Sequence, residues 1–142
     1  MDRRAFIKSS CTTCLLAAAG SLPAALLSCA HLAPYEADAP MGLLQLPESI
    51  FQEITLRIVR ARQFDSDIAL EKLGKSSYRA LLLRCTHADN ELTFTGSAFT
   101  CSLHGSTFDL QGNATRGPAR LPLRQLPLEV SGGIITVHLP QG

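Results

Sequence analysis

Residues 85–104 read CTHADNELTFTGSAFTCSLH and contain two cysteine–histidine pairs, Cys85-Thr86-His87 and Cys101-Ser102-Leu103-His104. Thiolate and neutral imidazole are both ligands for zinc and iron. Short loops at strand ends can direct a ligand at position i and another at i+2 or i+3 toward one small metal centre. We therefore predict that the two loops hold a metal centre through Cys85, His87, Cys101 and His104.

The residues between the pairs predict a hairpin that joins the two loops. Glu91–Phe94 and Ser97–Cys101 are strand candidates, and Thr95-Gly96 connects them. Such a hairpin brings the loop before its first strand next to the loop after its second.

The rest of the chain predicts an antiparallel all-β domain. Apolar and polar residues alternate from Glu53 to Ile58, and the Leu-rich run of Tyr78–Arg84 is typical of a strand covered on both faces. Residues 65–74 form either a short capped helix or, as we favour, one arm of a hairpin. Gln125–Val130 and Ile134–Leu139 form a closing hairpin around a Ser-Gly-Gly turn.

The cysteine–histidine pairs are also compatible with two simpler interpretations. Four such side chains can bind a single zinc ion, but zinc modules usually open with C-x2-4-C, and C-x-H is a poor tetrahedral chelate. Alternatively, the cysteines are ordinary buried residues and the histidines ordinary surface residues. An iron–sulfur cluster with two histidine ligands accounts for the spacing best.

The sequence after the second pair resembles one family closely. The run Cys101–Gly112, then Gly117-Pro118-Ala119 and Pro122-Leu123, is similar to Rieske iron–sulfur proteins of the cytochrome bc and bacterial Rieske-domain branch. The resemblance extends from about Ile54 to Leu139. It implies the Rieske fold, stacked antiparallel sheets with a two-loop cluster-binding subdomain, and one 2Fe-2S cluster. It also implies a proline loop that shields the cluster, and the following cluster-binding residues: Cys85, His87, Cys101, His104 and Ser106.

Two departures from the family pattern have chemical consequences. In respiratory members each ligand loop carries an extra cysteine and the two form a disulfide, whereas Asn90 and Leu103 stand at those positions here. In high-potential members a serine and a tyrosine donate hydrogen bonds to the cluster sulfurs; Ser106 retains the first and Phe108 lacks the second. The resemblance therefore implies a potential in the middle of the Rieske range of roughly −150 to +300 mV.

Composition excludes several classes of function. The 142 residues include 13 Lys+Arg and 12 Asp+Glu, which argues against non-specific nucleic-acid binding. Hydrophobic residues make up 46%, enough for a folded core, and the length predicts one domain. Neither a nucleophile–base–acid set nor a phosphate-binding glycine loop is present, so we do not expect a stand-alone enzyme.

The first residues have the order of an export signal. Arg3-Arg4 followed by Phe6, Ile7 and Lys8, then an apolar run, resembles a twin-arginine leader, and Leu26–Cys29 resembles a lipobox. We expect residues 1–28 to be a signal peptide that ends before a lipidated Cys29; an uncleaved anchor is the alternative. Cys11 and Cys14 belong to the leader, residues 29–47 form a proline-rich tether, and residues 48–142 form the Rieske domain.

These observations predict an exported bacterial Rieske electron-transfer protein, lipid-anchored on the periplasmic side of the membrane. Its expected partner is a quinol-oxidising complex, an oxidoreductase or a c-type cytochrome, to which it serves as a one-electron carrier or subunit. A cluster-bearing accessory or redox-sensing lipoprotein is the alternative function, and a zinc-binding structural module is a third.

Overall fold

The computed structural model describes residues 33–140. The predicted leader, its cysteines Cys11 and Cys14, and the lipidation site Cys29 therefore lie outside the described residues. The regular secondary structure of the described part is almost all β-strand, with short 3-10 helices at Pro40–Gly42 and Glu48–Phe51. Its strands are β1 Tyr35–Ala37, β2 Leu43–Pro47, β3 Leu56–Ala61, β4 Asp67–Lys72, β5 Tyr78–Leu82, β6 Leu92–Phe94, β7 Phe99–Cys101, β8 Thr107–Phe108, β9 Ala114–Arg116, β10 Gln125–Leu126, β11 Leu128–Ser131 and β12 Ile134–His138.

A five-stranded sheet in the order β1-β3-β4-β5-β10 lies at the centre of the fold. Its pairings are antiparallel except for β1 with β3. The central strands are apolar on both faces because each face covers a separate core. On β5, for example, Ala80 and Leu82 pack into one core while Leu81 packs into the other. The prediction of a doubly covered strand at Tyr78–Arg84 is confirmed.

The first core lies between the central sheet and a three-stranded sheet in the order β11-β12-β2. The closing hairpin predicted from the Ser-Gly-Gly turn is confirmed, since Ser131 pairs with Ile134 and Val130 with Ile135. Gly132 and Gly133 both have positive φ, which favours glycine at these turn positions.

The second core lies between the opposite face of the central sheet and a four-stranded sheet in the order β6-β7-β8-β9. The predicted hairpin between the cysteine–histidine pairs is confirmed as β6 and β7, with Phe94 opposite Phe99 and Leu92 opposite Cys101. Both cysteines belong to this core. The four-stranded sheet therefore fixes the position of the ligand loops.

Residues 65–74 do not form a helix. Asp67–Lys72 is strand β4, which pairs with β3 on one side and β5 on the other, so the favoured hairpin prediction is confirmed. The strand predicted from Glu53 begins instead at Leu56, because the preceding 3-10 helix directs Phe51 into the first core.

The predicted tether is wrong for residues 35–47. Strand β1 pairs with β3 and strand β2 pairs with β12, so this segment is an integral part of two sheets. Leu44 and Leu46 are fully buried in the first core. The prolines at 40 and 47 suggested an extended linker, but Pro40 starts a 3-10 helix and Pro47 lies on β2, an edge strand of its sheet, and proline is tolerated at both places.

No helix within residues 33–140 is long and apolar enough to span a membrane.

Candidate metal centre

The four predicted ligands lie on two loops that adjacent strands bring together. Cys85 follows β5, and Cys101 is the last residue of β7. The amide of Leu92 donates to the carbonyl of Leu83 at 3.0 Å, which holds the start of the hairpin against the strand that leads into the first loop. Cys101 in turn lies opposite Leu92. The pairing of β6 with β7 thus places the second loop beside the first.

Both loops close with the same backbone hydrogen bonds. In the first, the amide of Asp89 donates to the carbonyl of Cys85 at 2.9 Å, and the amide of Cys85 donates to the carbonyl of Asn90 at 2.8 Å. In the second, the corresponding bonds run from Gly105 to Cys101 at 3.0 Å and from Cys101 to the carbonyl of residue 106 at 2.9 Å.

The fourth residue after each cysteine has a positive φ, 51° at Asp89 and 74° at Gly105. Aspartate is among the few non-glycine residues that tolerate this conformation. The two loops are therefore structurally equivalent turns, although only the second contains a glycine at this position.

The loops separate thiols from imidazoles. Cys85 and Cys101 are 2% and 1% exposed and belong to the same core, whereas His87 and His104 are exposed. The imidazole centroids lie 5.0 Å apart in an edge-to-face arrangement. Within the described part of the chain, no group of three or more His, Cys, Asp or Glu side chains is gathered as for a single metal ion. Like side chains are thus paired, thiol with thiol and imidazole with imidazole.

The environment of Cys101 favours its thiolate. Burial raises the pKa of the thiol, but the backbone amides of Leu103 and His104 donate hydrogen bonds to the sulfur, and Cys85 and Asn90 add side-chain hydrogen bonds. Together these bonds outweigh burial and hold the pKa of Cys101 below its usual value. The thiolate is the form that binds metals.

Residues 117–121 are hydrogen-bonded to both ligand loops. The amide of Ala119 donates to Oγ of the fully buried Ser106 at 3.0 Å. The hydroxyl of Thr86 donates to the carbonyl of Leu121 at 2.8 Å. The segment begins with a cis peptide bond between Gly117 and Pro118. In the bond from Ala119 the Ser106 hydroxyl is the acceptor. A hydroxyl can donate at the same time, so its proton remains available for another acceptor.

Sequence reasoning missed Arg84 and the contacts of Asn90. Nε of Arg84 donates to the hydroxyl of Ser66, which is buried beside the central sheet, and Nη1 donates to the Asp89 side chain at 3.0 Å. The arginine thus attaches the first loop to the body of the fold. Asn90 lies close to both cysteines. The only sequence signal for these contacts was that Asn90 stands where the family resemblance places an extra cysteine.

Comparison with known proteins supports a single family. A family model described as the Rieske [2Fe-2S] domain matches residues 51–127, which include both ligand loops. We found no match to the sequence among curated proteins.

Among solved structures, a naphthalene 1,2-dioxygenase with bound indole is similar to this chain with 21% identity and a TM-score of 0.53. That match covers 71% of this chain and 26% of the dioxygenase chain, and it shows the fold. The plasma membrane Rieske protein PetC3 of Synechocystis PCC 6803 is similar with 24% identity over 58% of this chain and 85% of its own, with a TM-score of 0.45. A hyperthermophilic respiratory Complex III is similar with 17% identity over 92% of both chains and a TM-score of 0.49.

Proposed function

The chain belongs to the Rieske [2Fe-2S] domain family, whose domain binds a 2Fe-2S cluster, and from that membership we propose that it is a one-electron transfer protein. We propose Cys85 and Cys101 as ligands of one iron and His87 and His104 as ligands of the other. The observation that carries this proposal is the placement of two buried thiols in one core and of two exposed imidazoles with their centroids 5.0 Å apart.

The donor set fits such a cluster. When bound, the cluster accepts and releases one electron. Two thiolates and two neutral imidazoles surround the irons with two fewer negative charges than four thiolates do, so adding an electron costs less. The two cysteine sulfurs are buried away from water, whereas the imidazoles are exposed and connect the centre with the surface.

Residues around the loops fix the ligands in place. Ser106 accepts a hydrogen bond from Ala119 and retains its own proton, which we propose it donates to a sulfur of the cluster. A donor to sulfur stabilises the more negative reduced state. Arg84 and Thr86 hold the first loop against the central sheet and the proline-containing segment, so His87 keeps its position when the protein meets a partner.

The surface around the histidines suits a protein partner. Leu103 and Leu121 are 57% and 66% exposed, and Leu121 is held beside the first loop by its hydrogen bond with Thr86. Arg120 is exposed and lies between Ala119 and Leu121, each of which contacts a ligand loop. We propose that a redox partner with an apolar contact area and acidic rim docks here, as charge complementarity increases the association rate.

Electron exchange with a c-type cytochrome that has acidic residues around its exposed haem edge tests the function and the docking surface together. We expect fast, reversible exchange that slows as salt increases, and slower exchange for Arg120→Glu. Lys75→Glu is the matched control, because Lys75 lies in the β4–β5 turn, at the opposite end of β5 from Cys85, and should exchange like the wild type. Equal rates for Arg120→Glu and the wild type would contradict the docking surface.

The alternative of a redox-sensing accessory protein is favoured by one observation, the absence of a disulfide at the ligand loops. Cys85 and Cys101 are the cysteines of the described part and both are free. Loss of the cluster in air within the time of a purification, together with no exchange with the cytochrome, would favour this alternative over electron transfer.

We further propose that the protein is exported and anchored. The support is sequence alone: the twin-arginine-like start, the apolar run, and the lipobox-like residues that end at Cys29. The twin-arginine route exports proteins that have already folded, so a cluster assembled in the cytoplasm can cross the membrane inside the protein. Strand β1 begins at Tyr35, so the linker between Cys29 and the folded domain is shorter than the predicted tether of residues 29–47. Radiolabelled lipid incorporation in the wild type and its loss in Cys29→Ser tests the anchor, and incorporation in neither would contradict it.

A further inference from the structure

Asn90 contacts both cysteines. Its backbone carbonyl accepts the amide of Cys85 at 2.8 Å, which closes the first loop. Its half-buried side chain extends to the second loop, where Nδ2 lies 3.9 Å from Sγ of Cys101.

A second hydrogen bond fixes the orientation of the Asn90 carboxamide. Nδ2 also donates to the carbonyl oxygen of Glu91 at 3.0 Å. A carbonyl oxygen only accepts, so this bond identifies the nitrogen end of the carboxamide. A carboxamide nitrogen has two N–H groups, and the second is left for the sulfur of Cys101.

The Asn90 bond differs from the two backbone donors to Cys101. The amides of Leu103 and His104 belong to the same loop as the cysteine. The carboxamide of Asn90 comes from the first loop, so its bond connects the two loops. Because Cys101 is 1% exposed, this bond forms in a low-dielectric environment, where hydrogen bonds to a charged sulfur are stronger than in water.

We propose that Asn90 is a positioning residue that couples the two ligand loops through the sulfur of Cys101 and raises the reduction potential of the centre. The donor stabilises the reduced state because that state has one more negative charge near the sulfur. The inference rests on the proposed function above.

The first test measures the reduction potential of the full chain by protein-film voltammetry. Asn90→Leu keeps the size of the side chain and removes the donor. We expect the equilibrium constant for reduction to fall about threefold to tenfold, which is a decrease of roughly 30 to 59 mV at 59 mV per tenfold change for one electron. Thr95→Val is the matched control, because it removes a side-chain hydrogen bond, to Ala98 at 3.0 Å, at the other end of the same hairpin. Its potential should equal that of the wild type.

The second test detects the hydrogen bond in the wild type itself. The sequence contains two asparagines, Asn90 and Asn113, and Nδ2 of Asn113 donates to Asp109 at 2.9 Å. In protein labelled with 15N at asparagine, pulsed EPR of the reduced cluster should show a hyperfine coupling to a side-chain nitrogen. The coupling should persist in Asn113→Asp, and its absence from the wild type would overturn the role of Asn90. This readout decides the matter even if Asn90→Leu does not retain a cluster.

The outcomes separate this inference from the proposed function. A wild-type chain without a two-iron signal would refute the function. A wild-type chain with that signal, but with no asparagine coupling and with a potential unchanged in Asn90→Leu, would overturn only the role of Asn90. A lower potential in Asn90→Leu together with the coupling supports both.

Discussion

Replacing Ser106 by alanine should produce two effects that can be measured separately. The hydroxyl of Ser106 is fully buried and accepts the amide of Ala119 at 3.0 Å. Alanine removes the acceptor and leaves a buried N–H without a partner, since Ala119 is itself only 5% exposed. Alanine also removes the proton that we propose Ser106 donates to the cluster.

The stability effect follows from the unpaired amide. A buried donor that loses its partner costs about 1 to 3 kcal/mol, which is roughly a fivefold to 150-fold change in the folding equilibrium constant. The reduction potential should fall as well, because the reduced state loses a donor to sulfur. The expected loss of stability does not depend on the cluster, whereas the fall in potential does.

Urea unfolding of the full chain measures the first effect and protein-film voltammetry the second. Ser102→Ala serves as the control, because Ser102 is an exposed hydroxyl on the same loop and its loss should change stability by no more than about 0.5 kcal/mol. If Ser106→Ala unfolds at the same urea concentration as Ser102→Ala, the bond to Ala119 does not stabilise the loops. If its potential equals that of the wild type, Ser106 does not donate to the cluster.

Three further predictions concern the second core, the acid stability and the N-terminal strands. Phe108→Tyr should raise the reduction potential, because Phe108 belongs to the same core as Cys85 and Cys101 and the added hydroxyl can donate to a cluster sulfur; an unchanged or lower potential on protein-film voltammetry would contradict this. Burial raises the pKa of Asp109, but hydrogen bonds from Asn113 and neighbouring amides outweigh it and hold that pKa below its usual value of about 3.8. The stability from Asp109 is therefore complete above about pH 5 and is lost as the pH falls through the lowered pKa, so Asp109→Asn should flatten the pH dependence of urea unfolding between about pH 5 and 3. Leu46→Ala should destabilise the protein by about 2 to 5 kcal/mol in the same assay, because Leu46 is 1% exposed, and a cost below about 0.5 kcal/mol would show that β2 is not part of the core.

Local sequence patterns predicted the elements whose partners are near in the chain. The closing hairpin has its turn residues and both strands within one short segment, and the hairpin between the ligand loops is equally local. The ligand pairs were also recognisable because each pair lies within four residues. These features depend on turn chemistry and period-two alternation, which are visible in a single sequence.

Long-range pairing is where the sequence prediction failed. Strand β2 pairs with β12, and Leu44 lies opposite Val137, nearly the whole domain away along the chain. Nothing in the composition of residues 35–47 indicates that pairing, and the prolines there favoured a tether. The bonds of Asn90 and Arg84 span 11 and 18 residues, but a residue pattern does not indicate them either, since they join side chains of different loops. Such contacts depend on how the sheets assemble, which residue patterns do not specify.

The binding of a two-iron cluster by these loops is tested most directly by an EPR spectrum of the purified full chain after reduction with dithionite, with iron, zinc and acid-labile sulfide counted in the same sample. We predict two irons and two sulfides per chain, and a signal from a two-iron cluster with nitrogen ligation that is lost in His87→Ala and His104→Ala. A silent spectrum with one zinc per chain would contradict this assignment and would mean that the two cysteine–histidine loops bind a single structural metal ion.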